Sequence, residues 1–414
     1  NNRASQKGHF RYVFKGVGLS LFRQRSLTLS KLSGGRKMKI SCLQENLSRG
    51  LAVVGRAVAN RATLPVTQNV LLSVEQSMLK LSATNLEIAM TTWVGASIEE
   101  EGSITVPARL LTEFVNSLPN DTIDLTLDQG SGLLEISSGN SNAHINTTDA
   151  SEFPPIPTVD DGVAAQVDPL ILKSAITRVA FAAATEESRP VLTGVELKLD
   201  SAKFTMAAAD GFRLAVHHGA LLNSVPEEMS VIIPARTMNE LNRLISDREE
   251  PVEILMTPAK GQVMFRVQGG DRIEIVSQLL QGTFPNYEQL IPQSYTTRAI
   301  MDLPTVLRSA RTASIFARDG SNIIRMHLMP AAAETEPPKV EISARSEEVG
   351  DNQDVVDLDE IEGEEGKIAF NSRYLLDVLA VLDKGKVALE TTTSSSPGVF
   401  KPTDSEDYIH VVMP

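Results

Sequence analysis

Cysteine is almost absent from this 414-residue chain, which has one, Cys42. That excludes an internal disulfide framework and a multi-cysteine zinc site, and it suits a reducing compartment. Aromatic residues make up 5%, with a single Trp. Aliphatic side chains must therefore fill the cores that a 42% hydrophobic content allows. No apolar run reaches the ~18 residues of a membrane span, so no membrane partner is expected. The histidines (His9, His144, His217, His218, His327, His410) are scattered, with no HExxH and no HxH pair. Most routes to a metalloenzyme are closed, and no cofactor is expected.

Acid is missing from residues 1–37, which hold nine Lys/Arg and no Asp or Glu. This Arg- and Ser-rich stretch resembles an organelle transit peptide. It reads better as a tag or upstream sequence, because MKISCLQENL from Met38 opens a sensible domain. The remaining residues carry 30 basic and 52 acidic side chains, within a chain of net charge −13. Such a body repels DNA unless its positive charge is gathered in one place.

The chain is long enough for two or three domains, and it contains repeats. ITVPARLLTEFVNSL (104–118) returns as VIIPARTMNELNRLI (231–245) and as IAFNSRYLLDVLAVL (368–382). Pro107, Pro234 and Asn371 take matching places, and each is followed two residues later by Arg109, Arg236 or Arg373. Each opens a helical pattern, such as Leu110, Leu111, Phe114, Val115, Leu118. LPVTQNVLL (64–72) aligns without gaps to RPVLTGVEL (189–197), and SNIIRMHL (321–328) sits in the third place. Leading helices are expected over 43–59, 169–184 and 303–317, the last two capped by Asp168 and Asp302. Short alternating strands with polar turns indicate antiparallel sheet. The fold class is α+β, with three repeated domains of two helices on antiparallel sheet, over 38–157, 163–291 and 297–414. The acidic segment 347–366 reads as a solvated loop. A calcium site there lacks the EF-hand pattern.

Positive charge collects on the leading helices. Residues 43–61 carry Arg49, Arg56 and Arg61 against Glu45; 169–184 carry Lys173 and Arg178; 303–318 carry Arg308, Arg311 and Arg318. Equivalent helices arranged about a common axis would form one basic surface. That surface would hold duplex phosphates without reading bases. Aromatic platforms for single strands are nearly absent there.

MKISCLQENL, NRATLPV (60–66), VPARLL (106–111), AADGFRLAV (208–216), GTFPNYEQLIP (282–292), FNSRYLLDVL (370–379) and YIHVVMP (408–414) together resemble the bacterial DNA polymerase III beta subunit family, the sliding clamps. The resemblance implies a head-to-tail ring homodimer around duplex DNA, a cytoplasmic, non-catalytic processivity factor loaded by a clamp loader complex. It implies a hydrophobic cleft that docks short motifs of the replicative polymerase alpha subunit, the loader and other clamp-binding proteins. Matched residue by residue, the cleft comprises Leu192, Ala209, Gly211, Phe212, Arg213, Leu214, Pro285, Gln289, Leu290, Val411, Val412, Met413 and Pro414. Arg61 matches a DNA-facing basic position. Arg56, Lys173, Arg178, Arg236 and Arg311 join it on the charge argument. Ile145, Ile315 and Phe316 match the ring interface, with ordinary core the alternative.

The chain departs from the family pattern in three places. SSGNSNAHINT lacks the usual basic residues, Ala143 replaces an interface aromatic, and the chain stops at the MP of 413–414. The rival readings are a metal-dependent enzyme using Asp210 or the 354–365 acidic cluster, and an open monomeric peptide-binding adaptor.

Overall fold

The computed structural model describes residues 38–414 except 60–63, 128–131, 157, 159–162, 187, 246–247, 258–260, 319–320, 334 and 383. The first repeat runs β1 (Met38–Leu43), α1 (Gln44–Val54), β2 (Asn69–Glu75), β3 (Met78–Thr84), β4 (Ile88–Val94), β5 (Ala96–Glu100), β6 (Ser103–Pro107), α2 (Ala108–Ser117), β7 (Thr122–Leu127), β8 (Leu133–Ser138) and β9 (Ser141–Asn146), with a short β10 (Thr148–Asp149) after it. The second runs β11 (Val163–Val167), α3 (Pro169–Val179), β12 (Gly194–Asp200), β13 (Lys203–Ala209), β14 (Arg213–Ala220), β15 (Met229–Pro234), α4 (Ala235–Leu244), β16 (Val252–Thr257), β17 (Gln262–Val267) and β18 (Ile273–Gln278). The third runs β19 (Thr297–Asp302), α5 (Leu303–Arg318), β20 (Ile323–Met329), β21 (Lys339–Ser346), β22 (Gly350–Asp357), β23 (Glu360–Gly363), β24 (Gly366–Asn371), α6 (Ser372–Val381), β25 (Lys386–Thr391), β26 (Gly398–Pro402) and β27 (Tyr408–Val412).

Caps set the helix starts. Asp168 accepts from the backbone N–H groups of Leu170 and Ile171. Asp302 accepts from Thr305 and Asn371 from Arg373, satisfying donors that a helix leaves open. Pro107 and Pro234 end their strands, and the helices begin one residue later. Two leading helices are shorter than expected. The first tightens into a 3-10 turn at Gly55–Ala57 and the second at Ala180–Ala182. Gly55 is a poor helix former, so it marks the first break.

Among the described residues all strand pairings are antiparallel, and the four sheets are ordered β5-β1-β7-β8-β9, β10-β6-β2-β3-β4-β18-β17-β16-β11, β15-β12-β13-β14-β27-β26-β25-β19-β23 and β22-β21-β20-β24. Two sheets cross repeat boundaries. β4 pairs with β18, and β14 pairs with β27. The first and second repeats thus each join a third-strand edge to the last strand of the repeat that follows. β9 and β22 each form one outer edge of the two remaining sheets, opposite β5 and β24.

Among the described residues one large core draws on all six helices and all three repeats, including Leu47, Leu111, Leu172, Leu241, Val306 and Leu379. Two smaller clusters occur at the repeat junctions. The expected acidic loop at 347–366 is instead largely strand. β22 pairs with β21 along its whole length, from Lys339↔Asp357 to Ser346↔Gly350. The backbone ladder needs no apolar side chain, and acidic residues on a terminal strand discourage promiscuous edge pairing.

Candidate peptide cleft and nucleic-acid face

Leu192, Ala209, Leu214 and Val411 come together at the second junction, with Ala207, Val216, Ile232, Phe284, Tyr287 and Val399. The turn before β14 shapes its mouth. Asp210 Oδ1 accepts from the N–H groups of Phe212 (2.9 Å) and Arg213 (3.0 Å). Gly211 takes φ +96°, where a Cβ would also lie 3.1 Å from Arg189 Nη2. Phe212 is thereby turned outward, 58% exposed, and stacks on Tyr374 at 6.1 Å. The N–H of Met413 donates to Phe212 O (2.8 Å), tying the C-terminal residues to this turn. Met413 and Leu290 remain exposed beside the buried floor, as do Pro285, Gln289 and Pro414. A cavity of about 140 Å³ lined by Arg189, Phe212, Arg373 and Tyr374 adjoins them.

One expected cleft residue faces elsewhere, and another is already held by its own chain. Val412 is fully buried in the main core, because strand alternation turns it away from Val411. Arg213 is 7% exposed and already engaged. It donates to Asp210 Oδ2 (3.0 Å), Asp377 Oδ2 (2.6 Å) and Phe181 O (2.9 Å). Its guanidinium also lies over the rings of Phe181 and Tyr374, at 5.1 and 4.8 Å. It braces the junction while still lining the adjoining cavity. These contacts also occupy Asp210, and among the described residues no group of three His, Cys, Asp or Glu is placed to hold a metal.

Sequence reasoning missed Val216, Ile232, Val399, Phe284 and Tyr287. Val216 had a signal, the two-residue period from Leu214. Phe284 and Tyr287 lay inside the GTFPNYEQLIP motif, and their rings meet edge to face at 6.1 Å. Ile232 and Val399 come from strands distant in sequence. The first junction has a smaller counterpart, in which Ala89, Met264 and Val276 pack with Ile156 and Leu255. There Ala89 stands where the second junction has Leu214, and Met264 where it has Val399.

The basic residues vary in availability. Arg236 and Arg311 are exposed and Lys173 is half-buried. Arg56 pairs with Glu240 at 3.1 Å, and Arg178 lies over the buried Tyr408 ring at 5.7 Å. Arg61 lies outside the described residues. Arg308, part of the helix charge tally but not chosen, is exposed on α5. Ile145 on the outer strand β9 is core within a single chain, and on α5 Phe316 is half-buried while Ile315 is 59% exposed.

The N-terminal, central and C-terminal domain profiles of the DNA polymerase III beta subunit match residues 38–157, 166–286 and 288–414. The beta sliding clamp of Bacillus subtilis is 30% identical over 91% of this chain and 99% of its own length. That of Synechococcus elongatus is 33% identical over the same shares. The crystal structure of the B. subtilis DNA polymerase sliding clamp superposes with a TM-score of 0.85 at 28% identity, covering 91% of this chain and 98% of that one. The DNA polymerase III subunit beta from Pseudomonas aeruginosa gives 0.82 at 29% identity, covering 91% and 99%. With all three domains matched in order on a fold of three α+β repeats, the chain belongs to the DNA polymerase III beta subunit family, the non-catalytic sliding clamps of DNA replication.

Proposed function

We propose that two copies of this chain close head to tail into a ring that encircles duplex DNA, slides along it and tethers the replicative polymerase. One observation carries the reading. The same junction, third-strand edge to last strand, occurs twice within the chain and leaves one edge of each kind at its ends. A third use of it between two copies, made twice, closes six domains without a free end.

Retention in a ring is topological. Each phosphate contact can be weak, so sliding is fast, yet the protein stays on. Lys173, Arg308 and Arg311 on the equivalent leading helices, with Arg236 on α4, suit that task as sequence-neutral contacts. A clamp loader opens the ring, because spontaneous opening would defeat retention. Peptides of the polymerase alpha subunit, the loader and other clamp-binding proteins dock in the cleft floored by Leu192, Leu214 and Val411, each anchored apolar side chain contributing about 1.5–3 kcal/mol. A replication factor of this kind works in the bacterial cytoplasm. Among the described residues, no helix is long and apolar enough to cross a membrane.

The test is to load the protein onto nicked circular DNA and then linearise it. Loss on linearisation with retention on the circle is expected. Equal retention on both forms would refute topological binding.

A further inference from the structure

A second cavity lies at the junction of the second and third repeats, on the side of the sheet away from the peptide cleft. Strand alternation on β14 points Leu214 and Val216 into the cleft. It turns His217 to the opposite side, where its ring lies 6.2 Å from that of Tyr408. The space there is about 560 Å³, a size that suits a small organic ligand. One face of α3 bounds it, with Leu170, Ser174 and Arg178 spaced by four. The paired ends of β13 and β14 and Asp407, just before β27, complete the wall.

Small residues keep this space open. β14 packs on α3. Gly219 has no side chain, and the Phe204 ring leaves no room for one. Ala220, opposite Lys203 at the hairpin end, offers only a methyl group.

The wall combines two kinds of surface. Leu170 is 67% exposed and Ile171 37%, an apolar lip at the start of α3. Arg178 and Lys203 bring positive charge, and among the described residues neither has an acidic partner at ion-pair distance. The one carboxylate among the lining residues is Asp407, whose Oδ2 already accepts from Ser405 Oγ at 3.0 Å. The two histidines add no charge near neutral pH. Burial, helped by Arg178, lowers His217 to about 4, and burial, helped by Lys203, lowers His218. His217 is 5% exposed, and its Nδ1 is buried with no hydrogen-bond partner, a polar group the chain leaves unmet. A bare phosphate or a nucleic-acid backbone would use the cations and leave the apolar lip in water.

We propose that this cavity binds a small amphipathic anion, with its apolar body against Leu170, Ile171 and Ala220 and its one anionic head drawn to Arg178 and Lys203. The occupant bridges the second repeat to Asp407 of the third. Neither the ring nor the peptide cleft is needed for such binding.

Naphthalene carboxylate is a suitable probe, an aromatic body with one anionic head. Titrated into the full chain and followed by methyl NMR of Ile171 and Ala220, it should saturate with a Kd of ~1 mM or tighter, as ordinary ligand efficiency gives for its size. Naphthyl phosphate, run alongside, identifies the preferred head by the tighter Kd. Naphthalene methanol and inorganic phosphate, which are body and head alone, should each bind about tenfold more weakly or worse. K203E should weaken the carboxylate about tenfold. S174W, which fills the cavity from α3, should abolish the Ile171 shifts. Lys203 is exposed, so K203E gives a reading even if S174W fails to fold. Failure of both anionic probes to saturate, equal affinity for the neutral alcohol, or an unchanged Kd in K203E would overturn the proposal. Displacement of naphthalene carboxylate by a short DNA duplex at low salt would assign the cavity to nucleic acid and overturn it as well.

Discussion

His217 and His410 show how position within the second junction, between β14 and β27, fixes a side chain's chemistry. Burial, helped by Arg178, lowers His217 to about 4. Burial lowers His410 to about 3, with Arg213 acting in the same direction. Both imidazoles are neutral in the fold and take up protons on unfolding once the pH drops below ~6.5. Their contribution to stability is present above that value and is lost as pH falls toward 4. Each ring subtracts about 1.4 kcal/mol per pH unit within the window. H410F keeps a ring against Phe181, which stacks on His410 at 5.4 Å. Urea melts of H410F should lose less stability than wild type between pH 7 and pH 5, and equal losses would refute this account. Exposed cleft residues behave differently. M413A and L290A should leave the urea midpoint unchanged but weaken a polymerase-derived peptide roughly tenfold or more each, from the apolar burial they offer. Calorimetric titration with unchanged affinity would remove the proposed cleft.

At the scale of elements, closely packed strands constrain the sequence as much as helices do. A Cβ at Gly219 of β14 would collide with the Phe204 ring, and one at Gly398 of β26 would collide with the Phe370 ring. Phe204 and Phe370 are fully buried and have nowhere to move. G219A and G398A should each cost about 1–3 kcal/mol by overpacking, visible as a lower urea midpoint with an unchanged slope. Helix existence was legible from the repeated apolar stripes and caps. The ends of α1 and α3 were not, because a change from α to 3-10 geometry alters hydrogen bonding without altering burial pattern. The acidic segment misled for a related reason. β22 is held by backbone pairing to β21, and its side chains, mostly exposed, carry no apolar alternation to read.

For the whole molecule, electrostatics and topology separate. Binding to linear duplex should fall steeply with salt, and R236E and R311E should each lower the slope of log K against log salt by about 1. Retention on a closed circle, once loaded, should change little over the same range. Gel-filtration assays on linear and circular DNA at two salt concentrations would show the contrast. A parallel loss from both forms would mean that phosphate contacts alone hold the protein. Arg56 and Arg178 should contribute less to the linear-DNA slope, since the first is paired with Glu240 and the second lies over Tyr408.

The sequence by itself determined the threefold duplication and the helix starts, and it carried the motifs of the proposed cleft, since all of these are local patterns of period, cap or turn. Tertiary structure decided which side each residue serves. Val411 and Val412 look alike in YIHVVMP, yet strand alternation sends one to the cleft and the other to the core. Arg213 looked free to meet a ligand until folding brought Asp377, 164 residues away, against it. Ile232 and Val399 joined the cleft only because β12 to β15 and β26 to β27 share one sheet. Local patterns fix local geometry. Pairing between distant strands is set by the packing of the whole sheet, which no short stretch of chain encodes.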